Sequence, residues 1–190
     1  MSLRINKKPT LILYRLMKNK KIFILLIIAM AGLFVSCDQN HHDNQEKLIN
    51  CNKEIAVTVV HNLAVGLSNV LKDISDSAMR VEIAQKLVDP VRFYKDGSGY
   101  FYIDTYDGWN IAHGITQEMQ GKNFWDYQDA RGIYVFRELT KLAKSGGGFL
   151  EYYWFDPATQ KQEKKLGYVE PVPGTNWYIG DGVYLNSVSP

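Results

Sequence analysis

Hydrophobic and polar positions divide the 190-residue chain into three regimes. The first is an apolar run, Ile22 to Phe34, behind the basic stretch Met17-Lys18-Asn19-Lys20-Lys21. Its thirteen residues reach about 20 Å as a helix, short of a ~30 Å bilayer core. The run therefore reads as the h-region of an export signal over residues 1–36. Residues 1–16 look like neither a signal nor a fold, which makes Met17 a candidate true start. The second regime, residues 37–45, is polar and aperiodic and reads as a tether. The third, residues 46–186, is patterned throughout.

Between Glu46 and Ile74, the positions Ile49, Ala56, Val60, Leu63, Leu67, Val70 and Ile74 step by sevens, fours and threes. That spacing predicts one amphipathic helix about 43 Å long. A second helix is expected to run to about Val88, with Met79, Ile83 and Leu87 on one face and Pro90 as its stop. Gly97 to His113 reads as a hairpin turning at Tyr106-Asp107-Gly108, because Gly accepts the positive φ that such turns demand. Alternation places Tyr100, Tyr102 and Asp104 on one face of it and Phe101 and Ile103 on the other. Asp129 is expected to N-cap a third helix over Ala130 to Lys144, with Val135, Phe136, Leu139 and Leu142 inward. Gly146-Gly147-Gly148 ends that helix. Strands follow at Phe149 to Phe155, Lys164 to Glu170 and Asn176 to Leu185. Short links between strands predict an α+β fold, a five-stranded antiparallel sheet beside a long N-terminal helix.

Charge changes this picture once the leader is set apart. The chain carries a formal +2, but residues 1–36 hold seven basic residues and no acid. The remainder has 15 Lys+Arg against 20 Asp+Glu, a balance of −5. Nucleic acid is a poor partner for such a domain, and an anionic ligand needs locally placed positive charge. Tyrosine and tryptophan number 12 and 4, nearly all beyond residue 90, and suit a core or a small-molecule pocket equally.

Chemical motifs are sparse. There is no G-x-S-x-G, H-E-x-x-H or P-loop, so neither an enzyme nor a cofactor is expected. His113 with Asp104 or Asp126 would be the acid–base pair of a catalytic reading; a single hydrogen bond from His113 to a ligand or the backbone is favoured. His41 and His42 beside Asp43 have no further ligand chemistry near them, so no metal site is expected. Phe34-Val35-Ser36-Cys37 resembles the lipobox of bacterial lipoproteins, in which a cysteine behind a small residue is lipidated and becomes the mature N-terminus. Phe34 stands there in place of the usual Leu. Cys51 is then left without a partner, a free or intermolecular thiol, with a tolerated cysteine the favoured reading.

Arg92-Phe93-Tyr94, Gly99-Tyr100-Phe101, Asp107-Gly108 and Ala112-His113 resemble the start of the single-Cache extracellular sensor domain. Gly121-Lys122-Asn123, Asp129 to Gly132, Gly147-Gly148-Phe149 with Tyr152 and Trp154, Lys165 to Tyr168, and Trp177 to Gly180 continue the likeness in order. It covers residues 46–186. The resemblance implies a PAS-like five-stranded sheet with a long helix beside it, binding small organic molecules, often short carboxylates, between sheet and loops. Such domains usually sit in chemoreceptors and histidine kinases between two membrane helices. This sequence ends at Pro190, so the expectation is a standalone lipoprotein, tethered through Cys37 outside the cytoplasm and read by a membrane signalling partner.

Arg92, His113 and Lys165 are the candidate donors around the ligand. Arg92 can hold a carboxylate with two parallel hydrogen bonds, and Lys165 adds a compact charge. Lys161, Lys164 and Lys165 also form a basic turn, where any one is simply solvated on the alternative reading. Tyr102, Tyr152, Trp154 and Tyr168 are candidate walls, or core. Asp104 and Asp181 would instead orient a cation, leaving an amino acid or amine open as ligand. The competing function is a protein-interaction module at the membrane with a vestigial pocket.

Overall fold

The computed structural model describes residues 43–95 and 97–185; the expected export signal, Cys37 and most of the expected tether lie outside them. The first helix, α1, spans Asp43–Leu71 and so begins inside the expected tether. Its buried stripe is Ala56, Val60, Ala64, Leu67 and Leu71. The stripe steps by four and three, as a helix face must, and this turns Val70 outward to 46% exposure, against expectation. By length and composition Glu46–Leu71 would also pass for a membrane span. Its apolar face is spent on the sheet instead.

Asp76 caps α2 (Ser77–Val88), its Oδ1 accepting from the backbone N–H groups of Ala78 and Met79. Ala84 and Val88 are its buried residues, while Met79, expected inward, is exposed. The hairpin consists of β1 (Tyr102–Thr105) and β2 (Asn110–His113). It turns at Gly108, whose φ is +88°.

Asp129 does not cap a helix. The next helix, α3, starts five residues beyond the expected Ala130, at Val135, and ends at Lys144. The Asp129 carboxylate instead accepts from the N–H groups of Arg131, Ile133 and Tyr153, fastening its own loop to the sheet. Three strands complete the described residues, β3 (Gly148–Asp156), β4 (Lys161–Pro171) and β5 (Trp177–Tyr184).

All pairings are antiparallel, in the order β2-β1-β5-β4-β3. The last strand thus lies at the centre, and every residue of β5 is buried. One sheet face carries Phe101, Ile103 and Ile179 and packs under α1 and α2. The other carries Tyr100, Tyr102, Tyr152 and Tyr178 and packs under α3 and the 115–133 segment. The alternation expected for the hairpin is therefore the one observed. Five strands with a long helix on one face and a second, aromatic layer on the other define a PAS-like α+β fold.

Candidate ligand-binding site

Between the aromatic face and α3 lies a small cavity of about 10 Å³, room for little more than one water. Tyr100 and the strand residues Tyr102, Asp104, Asn110, His113, Tyr152 and Trp154 line it from below. Met119, Val135, Phe136 and Leu139 roof it. Trp154 closes one side, with Tyr127 and Phe136 ring centroids 5.3 and 6.1 Å away.

Four of the seven predicted site residues, Tyr102, His113, Tyr152 and Trp154, thus meet at one cavity. Lys165 lies just behind it. Its side chain is fully buried, with Nζ 4.0 Å from the Tyr100 ring centroid, 4.9 Å from Tyr184 and 5.7 Å from Tyr102. That Nζ has no hydrogen-bond partner among the described residues. Glycine makes this route possible: a Cβ on Gly182 would stand 2.7 Å from Lys165 Cε. A Cβ on Gly180 would stand 2.5 Å from the Tyr102 ring and hydroxyl.

The other two predicted residues lie elsewhere. Arg92 is exposed and spends its guanidinium on the backbone carbonyls of Asp89, Val91 and Gly114. It braces the segment that follows His113 and does not line the cavity. Tyr168 falls on the opposite sheet face, its hydroxyl 2.7 Å from Glu170 Oε1 and its ring 4.7 Å from Phe149. Period two decides this: Lys165 and Val169 face the cavity layer, so Tyr168 between them cannot.

His113 Nδ1 accepts from the backbone N–H groups of Thr116 (2.9 Å) and Ile115 (3.3 Å). These bonds assign its proton to Nε2, making the ring a neutral donor. Burial lowers its pKa to about 3, aided by the charges of Lys165 and Arg92, so the ring stays neutral at ordinary pH. Burial acts the other way on acids. It raises Asp104 to about 7, against the Asn110 hydrogen bond and the neighbouring Tyr178 hydroxyl, which favour the charged form. Asp181, buried on the far side of β5, is raised to about 7 as well, with Lys165 and Tyr94 opposing the shift. The Tyr102, Tyr152 and Tyr178 phenols are pushed up, chiefly by burial, and are neutral.

Sequence reasoning missed Asn110, whose amide nitrogen lies 2.7 Å from Asp104 Oδ1, and the glycines under Lys165 and Tyr102. The strand positions of Gly180 and Gly182, where a side chain would be expected, were the available signal.

A small polar-aromatic cavity on a PAS-like sheet defines a small-molecule sensor domain. The Cache domain family profile matches residues 37–189, and the chain belongs to that family. The sensor histidine kinase MctS of Rhizobium johnstonii is 33% identical over 153 residues, which is 79% of this chain but 32% of the kinase. A methyl-accepting chemotaxis protein from Vibrio parahaemolyticus superposes with a TM-score of 0.66 at 28% identity, covering 77% of this chain and 97% of that one. A Cache chemosensory domain whose structure describes carboxylic acid recognition superposes at 0.62, also 28% identical, covering 77% and 99%.

Proposed function

We propose that the domain captures a short carboxylate in the cavity under α3, as an extracytoplasmic sensing module tethered by lipid on Cys37 and read by a membrane signalling partner. The observation that carries this reading is the Lys165 ammonium, fully buried and without a hydrogen-bond partner among the described residues. A cation withdrawn from water costs several kcal/mol unless an anion and hydrogen bonds compensate it. A carboxylate at the cavity would meet that need, with the His113 Nε2–H and tyrosine hydroxyls as further donors. The carboxylic acid recognition described for the similar Cache domain supports the same ligand class.

A thermal-shift screen of the purified protein against short carboxylates, amino acids and amines tests the reading. A carboxylate present at 100 times its Kd is expected to add about 2.7 kcal/mol of stability. A shift with amines alone would assign the site to a cation held by Asp104; Asp181, expected beside it, lies on the other face of β5. No shift with any of these compounds would favour the protein-interaction module.

A further inference from the structure

The cavity that has Lys165 behind its Tyr100 and Tyr102 rings has a carboxyl group in its own lining. Asp104 is 1% exposed and lines the cavity directly. Its Oδ1 accepts from Asn110 Nδ2 at 2.7 Å, while its Oδ2 is buried with no partner among the described residues. Asn110 shares the same amide nitrogen with the carbonyls of Ile103 and Ala112, at 3.4 and 3.3 Å, so it cannot serve both carboxyl oxygens. A short carboxylate is larger than this space of about 10 Å³, so it enters only as the roof residues give way, and Asp104, as a lining residue, then lies against it. Two ionised carboxylates at contact in a desolvated site repel strongly, and such pairs keep one proton between them.

Resting on the carboxylate reading above, we propose that the ligand is bound together with one proton, carried by Asp104, whose neutral Oδ2–H donates to the ligand. Nothing is oxidised or reduced: a proton leaves bulk water for Asp104 Oδ2 as the anion enters. Burial already raises Asp104 to about 7 before a ligand arrives, so the uptake has little further to go. The surrounding groups leave the role to Asp104. Tyr102 from β1, Tyr152 from β3 and Tyr178 from β5 are neutral phenols pushed upward by burial. His113 from β2 already accepts two backbone hydrogen bonds at the nitrogen that would have to be protonated. Lys165 from β4 is a cation, and α3 offers only Phe136, Leu139 and Val135 to the cavity. Asp181 on the far side of β5 is raised similarly, chiefly by burial, but is not part of the cavity lining.

The sign follows from the ligand-free value. Below about pH 7 Asp104 is already protonated and affinity is flat; above it each pH unit weakens binding by up to tenfold. Titration calorimetry of the full protein with propionate, in two buffers of different ionisation enthalpy, counts the protons. About half a proton per propionate is expected at pH 7 and close to one at pH 8. D104N, which keeps a donor of the same shape, is expected to abolish the uptake and the alkaline loss of affinity. N110A removes a bond that favours the charged form, so it should move the onset of that loss to higher pH, and it tests the assignment should D104N fail to fold. Propionate binding without proton uptake at pH 8, or uptake unchanged in D104N, overturns the proposal and leaves the carboxylate reading intact. No propionate binding at any pH, with binding of another class of compound, overturns both.

Discussion

Lys165 concentrates the conflict between stability and binding in one side chain. Its fully buried ammonium faces three tyrosine rings and has no hydrogen-bond partner among the described residues. Replacing a buried, poorly compensated charge with an apolar side chain of similar length is often neutral or stabilising. Lys165→Met should therefore melt no lower than wild type without ligand, yet bind a carboxylate well over tenfold more weakly, since removing one partner of a desolvated pair costs roughly 2–5 kcal/mol. His113→Ala removes one neutral donor and should cost about 1 kcal/mol of binding. Lys161→Ala, at the exposed start of β4, should leave affinity unchanged and serves as the control. Calorimetry and thermal melts on the same samples check all three. Equal losses in Lys161→Ala and Lys165→Met would mean that the attraction is diffuse and the site misassigned. Arg92→Ala belongs with the melts: it frees three carbonyl contacts and should lower the melting temperature more than the affinity.

At the scale of elements, the central strand and the 115–133 segment shape the cavity between them. Gly180 lies where β5 passes under Tyr102, and an added methyl would also stand 2.7 Å from the Tyr168 carbonyl oxygen, which cannot yield. Gly180→Ala should cost roughly 1–3 kcal/mol by overpacking and displace the Tyr102 ring, weakening the ligand as well. Unchanged stability in urea unfolding would show that the sheet can relax there. Asp129 ties the roof segment to β3 through Tyr153 N–H, at 2.9 Å. Its three backbone hydrogen bonds and the Arg131 charge hold its carboxyl below the usual value despite burial. A depressed acid contributes stability above the unfolded pKa, near 4, and loses it as pH falls through the folded value. Asp129→Ala should accordingly melt lower at pH 7, with the difference shrinking in strong acid. Because ligand exchange through so small a cavity requires the roof to part, the same variant should release ligand faster in stopped-flow measurements.

On the scale of the whole molecule, the proposed membrane tether is the feature that cell fractionation tests. The chain spans about a third of the length of the kinase it resembles. The proposed anchor is the lipid on Cys37, behind Val35-Ser36. Cys37→Ser should shift the protein from the membrane pellet to the soluble fraction after cell fractionation. A variant that stayed wholly in the pellet would identify the leader itself as the anchor.

Period and punctuation alone were enough to determine the element order, the antiparallel sheet and the two faces of the hairpin. These are local properties: Asp107-Gly108 turns wherever it stands between strands, and Tyr100, Tyr102 and Asp104 share a face whatever packs on it. Local spacing could not say where α3 begins, because Asp129 has both the sequence of a helix cap and that of a loop clasp. The backbone N–H of Tyr153, 24 residues away, decides between them. The site was half legible for the same reason. Tyr102, His113, Tyr152 and Trp154 converge because the sheet brings β1, β2 and β3 to one face. Only the strand order places the last strand in the centre, where Gly180 and Gly182 leave room for Tyr102 and Lys165. Burial, a property of the assembled layers and not of any segment, then leaves Lys165 without a hydrogen-bond partner and raises Asp104 to about 7.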